Sequence, residues 1–113
     1  MSSADLSGCN LEGRNLEGAD FSGADLRGAN LLQAHLQDAN LEYADLEEAD
    51  LTGANLTDAF LGGSYLAGAN LTDANLTGAD LTGADLQGAY LRNATGVNLE
   101  GTIGTPAFMP EDK

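Results

Sequence analysis

A β-solenoid that turns a corner every five residues is the fold class this sequence predicts, and three regularities predict it. An apolar residue stands at every fifth position from Leu6 to Leu91, 18 times without an insertion, and all are Leu except Phe21. Alanine stands two residues before it in 15 of 18 units, the exceptions being Cys9, Arg14 and Ser64. Asp or Asn stands one residue before it in 14 of 18, except at His35, Phe60, Tyr65 and Tyr90, and Gly, Asp or Asn follows two residues later in 15 of 18.

Neither regular structure accommodates that period. A helix advances about 100° per residue, so a step of five would spiral the leucines around it and leave no apolar stripe. Interior glycines would each add roughly 1 kcal/mol against a helix. In a straight strand, side chains alternate faces, so an odd step throws successive leucines to opposite sides. The pattern works once the chain bends inside each unit. Ala and Leu of Ala-x-Leu then point to one axis, and the Asp or Asn between them points out. The next two residues form the corner. Its second position favours Gly, Asn and Asp, which tolerate the positive φ of a type II turn.

Tandem units such as Ala19-Asp20-Phe21-Ser22-Gly23 and Ala79-Asp80-Leu81-Thr82-Gly83 resemble the pentapeptide repeat family over about four-fifths of the chain. The resemblance implies an all-β, right-handed quadrilateral β-helix with four pentapeptides per coil. On that basis residues 1–93 form about 4.5 coils, roughly 22 Å long at the usual strand spacing. Residues 20 apart then stack in columns. Residues 94–113 are expected as an irregular C-terminal cap and tail of the same domain.

The ends follow from the columns. Arg14 occupies an inward position of the first coil, tolerable where that end is open to water. Cys9 reads as a small apolar core residue, and Ser64 as a hydroxyl satisfied by a neighbouring carbonyl. After Leu91 the frame breaks, since Leu99 lies eight residues on. Val97, Leu99, Ile103, Phe108 and Met109 are expected to cover the terminal core, as a solenoid requires. A dimer interface at that end is the other reading, leaving a monomer or an end-to-end dimer. The helix that dimerises some family members does not suit a tail carrying Pro106 and Pro110.

The 113 residues hold 18 acids against four Lys and Arg, a formal charge of −14. Such a surface repels nucleic acid and anionic membranes, which bind by replacing counterions with basic groups. It suits solubility, a cationic partner, or a protein whose own ligand is a polyanion. No leader and no apolar run of membrane length is evident, so a cytoplasmic location is expected.

No chemistry is evident either. One His and one Cys, far apart, assemble neither a zinc site nor a nucleophile pair, and no cofactor is expected. Carboxylates are abundant but repetitive, including the column Asp5, Asp25, Asp45 and Asp85, whereas catalytic pairs need environments that split their pKa values. The chain therefore reads as a non-enzymatic acidic structural or protein-interaction module, with an unidentified protein as partner. The candidate contact is Tyr43, Phe60 and Tyr65, expected near one edge around Gly62-Gly63, because outward aromatics anchor interfaces. Mutual packing over the small corner is the competing account. Tyr90 and Leu32 lie on another face. The resemblance supplies an alternative function, since some family members bind DNA gyrase as mimics of duplex DNA and confer quinolone resistance.

Overall fold

The computed structural model describes residues 2–111. Each outward Asp/Asn position pairs in parallel with the position 20 residues on, as in Asp5 with Asp25 and Asp25 with Asp45, so four pentapeptides close one coil. Four columns result. The first face carries Asp5, Asp25, Asp45, Tyr65 and Asp85; the second Asn10, Asn30, Asp50, Asn70 and Tyr90. The third carries Asn15, His35, Asn55, Asn75 and Thr95, and the fourth Asp20, Asn40, Phe60 and Asp80.

Three sets of backbone bonds hold the coils together. Leu26 donates its N–H to the Asp45 carbonyl (2.7 Å), Asp45 donates to the Ala24 carbonyl (2.9 Å), and at the corner Gly28 donates to the Glu47 carbonyl (3.0 Å). A fourth closes each corner, as Ala29 donates to the Leu26 carbonyl at 3.0 Å. The second corner residue takes positive φ throughout, including Gln33 (55°), Tyr43 (59°) and Glu48 (61°), none of them a residue that favours it. The fold therefore imposes this conformation on any side chain.

The axis is filled by the Ala and Leu columns. From Phe21 to Leu91 all the fifth-position residues are buried, whereas Leu6, Leu11 and Leu16 of the first coil are only partly covered. Burial of each leucine contributes roughly 1.5–3 kcal/mol. Arg14 is exposed at that open end, and Cys9 is a half-buried free thiol. Ser64 departs from expectation: it is fully buried, and its Oγ has no hydrogen-bond partner. It stands in the column of Ala24, Ala44 and Ala84, where the small inward position brings no acceptor within reach.

The ladder continues beyond residue 93. Thr95 still pairs 20 residues back with Asn75, but Ile103 pairs with Asp85 and Phe108 with Tyr90, each only 18 residues away. Two residues are missing from one side: Ala94-Thr95-Gly96 is a three-residue unit. Val97-Asn98-Leu99-Glu100-Gly101 then restores the motif, with Asn98 Oδ1 accepting the Glu100 N–H (3.0 Å) and Gly101 at φ 78°. The short unit runs tight against the coil before it. A methyl on Gly96 would sit 2.5 Å from Thr77 Cα, which only glycine avoids.

This register corrects part of the expected cap. Val97 and Leu99 do pack on the core. Ile103, however, falls on the outward pairing position and is 58% exposed. Phe108 also pairs outward, half-buried on the second face, and Met109 is half-buried behind it. The body measures 33 × 24 × 23 Å, longer than the 22 Å expected, and the three resumed units account for about 4 Å of the difference.

Candidate interaction edge

The outward Asp or Asn has a local task. Its Oδ1 accepts the N–H of the residue two positions on at fifteen corners, for example Asn40 from Glu42 (3.0 Å) and Asp80 from Thr82 (3.0 Å). Ser or Thr at the receiving position adds a hydroxyl bond, as Thr52 does to Asp50 (2.6 Å). Asn serves as well as Asp, so the corner needs an oxygen and not a charge. A bond of this kind contributes roughly 0.5–1.5 kcal/mol.

His35, Phe60, Tyr65 and Tyr90 supply no such oxygen. Phe60 and Tyr65 are successive, so two neighbouring corners forgo the bond. Both rings stand outward, 48% and 50% exposed, on the fourth and first faces. The corner between them is Gly62-Gly63. Tyr43, 69% exposed, leans from the preceding coil across Gly63: a methyl there would lie 2.5 Å from its Cε1. Glu42 leans likewise, its Oε2 3.7 Å from where a methyl on Gly62 would be. The sequence-expected trio is thus gathered on one edge. The rings stack on none of one another among the described residues; Tyr43 rests on glycine.

Acids surround this edge. Asp80 follows Phe60 in its column, and Asp45 and Asp85 bracket Tyr65. The ion pairs among the described residues belong to Arg27, which meets Asp25 (2.7 Å) and, more loosely, Asp45 (3.7 Å). Hydrogen bonds from Arg27 hold the Asp25 carboxyl at about 2, below its ordinary value. Asp45 pushes the nearby Glu47 carboxyl upward by like-charge repulsion. The described surface has no pocket and no group of His, Cys, Asp or Glu arranged to hold a metal ion.

A second aromatic group was less legible in the sequence. Phe108 stacks on Tyr90 (centroids 5.5 Å apart), and the Arg92 guanidinium lies 4.1 Å over the Phe108 ring. The two-residue shortfall hides it, since counting by twenties does not bring 108 onto 90. His35 is exposed in its Asn column, and Leu32 is half-buried on the second face.

These features define a four-sided parallel β-helix of acidic pentapeptides with one aromatic edge. The family of pentapeptide repeats (8 copies) matches residues 4–42, 29–66 and 61–95, and the chain belongs to the pentapeptide repeat family, with its right-handed quadrilateral β-helix. A pentapeptide repeat protein from Nostoc PCC 7120 is 37% identical, over 89% of this chain and 84% of that one, with a TM-score of 0.79. Rfr23 from the cyanobacterium Cyanothece 51142 is 38% identical, over 93% and 86%, with a TM-score of 0.67. A trypsin-treated QnrB1, a plasmid-mediated fluoroquinolone resistance protein, is 22% identical over 88% and 64% with a TM-score of 0.55, a likeness of fold alone. No curated protein sequence matches.

Proposed function

We propose that this chain is a non-catalytic protein-interaction module that engages its partner through Tyr43, Phe60 and Tyr65. One observation carries the reading: two successive corners give up a stabilising side-chain bond and present half-exposed rings instead. Departures from a local rule that fifteen other corners obey are expected where something besides folding is selected, and at Phe60 and Tyr65 two of them are adjacent. The partner is a protein, because a −14 surface disfavours nucleic acid and anionic membrane alike. The test compares wild type with a variant in which Tyr43, Phe60 and Tyr65 are all Asn, each as bait. A partner held by wild type and lost by the variant supports the edge; one held equally by both removes it.

A second reading has its own observation. The 33 Å body approaches the 34–36 Å of one DNA turn, and the chain is strongly acidic, as a mimic of duplex DNA binding a gyrase would be. A supercoiling assay with purified protein tests it, and the absence of any effect at micromolar concentration dismisses it.

A further inference from the structure

We infer that the Tyr43–Phe60–Tyr65 edge receives a cationic side chain, an arginine or lysine of a partner protein, with Glu42 as its counter-ion. The inference rests on reading the edge as an interaction surface, and adds what that surface recognises. Gly62-Gly63 is the one Gly-Gly pair in the chain. It leaves a corner without side chains, flanked by Phe60 on one face and Tyr65 on the next. Into that space lean the Glu42 carboxylate over Gly62 and the Tyr43 ring over Gly63. A carboxylate and a ring therefore lie over the same bare corner, and the exposed Phe60 and Tyr65 rings stand on the faces to either side of it. Ring faces attract a cation within about 6 Å of their centroids, and a carboxylate at the same place supplies its charge partner.

The described residues bring no cation of their own to this place. Among the described residues Arg14 is in the first coil, Arg27 is engaged by Asp25 and Asp45, and Arg92 lies over Phe108. Other carboxylates lean over glycine corners too, Glu48 over Gly68 and Asp58 over Gly78, but neither has an aromatic on both sides. At Phe108 the chain itself places a guanidinium on a ring; at Phe60 and Tyr65 the acid and the rings are present and the cation is left to a partner. Asp45, Asp80 and Asp85 around the edge add attraction for a basic segment.

The probe is a short Gly-Ser peptide with one central arginine, compared with the same peptide carrying neutral, isosteric citrulline, while ring proton signals are followed by NMR. The arginine peptide is expected to shift Tyr43, Phe60 and Tyr65 rings selectively. Citrulline should bind at least tenfold more weakly, and Glu42→Gln should reduce arginine binding to the citrulline level with an unchanged circular dichroism spectrum. Equal shifts from both peptides, no shift from arginine, or shifts spread over all four faces and indifferent to Glu42→Gln would each overturn the inference. The broader reading is separable: a natural partner retained by Glu42→Gln but lost by the triple Asn variant defeats the cation and keeps the edge.

Discussion

Tyr43 lies across Gly63, close enough that a single added methyl would meet its ring at 2.5 Å. Both residues have positive φ, 59° and 65°, so the side chain of one coil covers the bare backbone of the next. Gln33 does the same over Gly53, at 3.1 Å. Gly63→Ala adds this clash to a left-handed strain of roughly 1–2 kcal/mol. It is expected to lower stability by about 2 kcal/mol or more in wild type and by less when Tyr43 is Ala. A double-mutant cycle by urea unfolding measures the difference.

Ser64→Ala should stabilise the protein. Its Oγ is buried without a partner, and a desolvated hydroxyl costs about 1–3 kcal/mol. Alanine also restores the residue found one coil before and after. The expected result is a higher melting temperature, and an unchanged or lower one contradicts the assignment.

The corner bond makes a paired prediction. His35→Asn supplies the missing acceptor and should add about 0.5–1.5 kcal/mol, whereas Asn55→Ala should lose a similar amount along with the Thr57 bonds. Phe60→Asn and Tyr65→Asn should hold or raise stability while removing partner binding. Stability and binding moving in opposite directions is what a site built at the expense of folding shows.

Acid titration should separate two carboxylates. Asp25 is depressed to about 2 by Arg27, so its contribution is present above the unfolded value near 3.9 and fades as pH falls towards 2. Glu47 is raised by Asp45, so its effect has the opposite sign: stability is gained as pH falls through its range and lost as pH rises. Arg27→Gln should move the Asp25 carboxyl up towards its ordinary value in a carbon-detected NMR titration.

The last units depend on the second aromatic group. Arg92→Gln removes the cation over Phe108, a contact of about 0.5–2 kcal/mol. Amide exchange should quicken from Val97 to Phe108 and stay unchanged around Leu46 and Leu51, since each coil leans only on its neighbours.

Most of the fold was legible because one period governs it. The inward leucines, the bend after each and the positive φ at the second corner position all follow from counting by fives. The Tyr43, Phe60 and Tyr65 cluster followed from counting by twenties. Two things escaped. The outward Asp and Asn looked like mere surface, because the residue whose N–H they accept varies freely: Glu42, Thr52 and Gln87 all serve. The resumption at Val97 was masked by the step of eight from Leu91 to Leu99, which reads as an ending when the unit between them has only three members. Ile103 and Phe108 then seemed free to plug the axis, although the restored alternation turns them outward.

The shortened unit also shows where the prism can give. At the amino-terminal end one circuit takes 20 residues, and at the other it takes 18. The unequal laps still lie in step, because Ile103 meets Asp85 and Phe108 meets Tyr90 after the two residues have been taken out of a single side. Length can thus be lost at one corner of the perimeter without disturbing the pairing on the faces that follow.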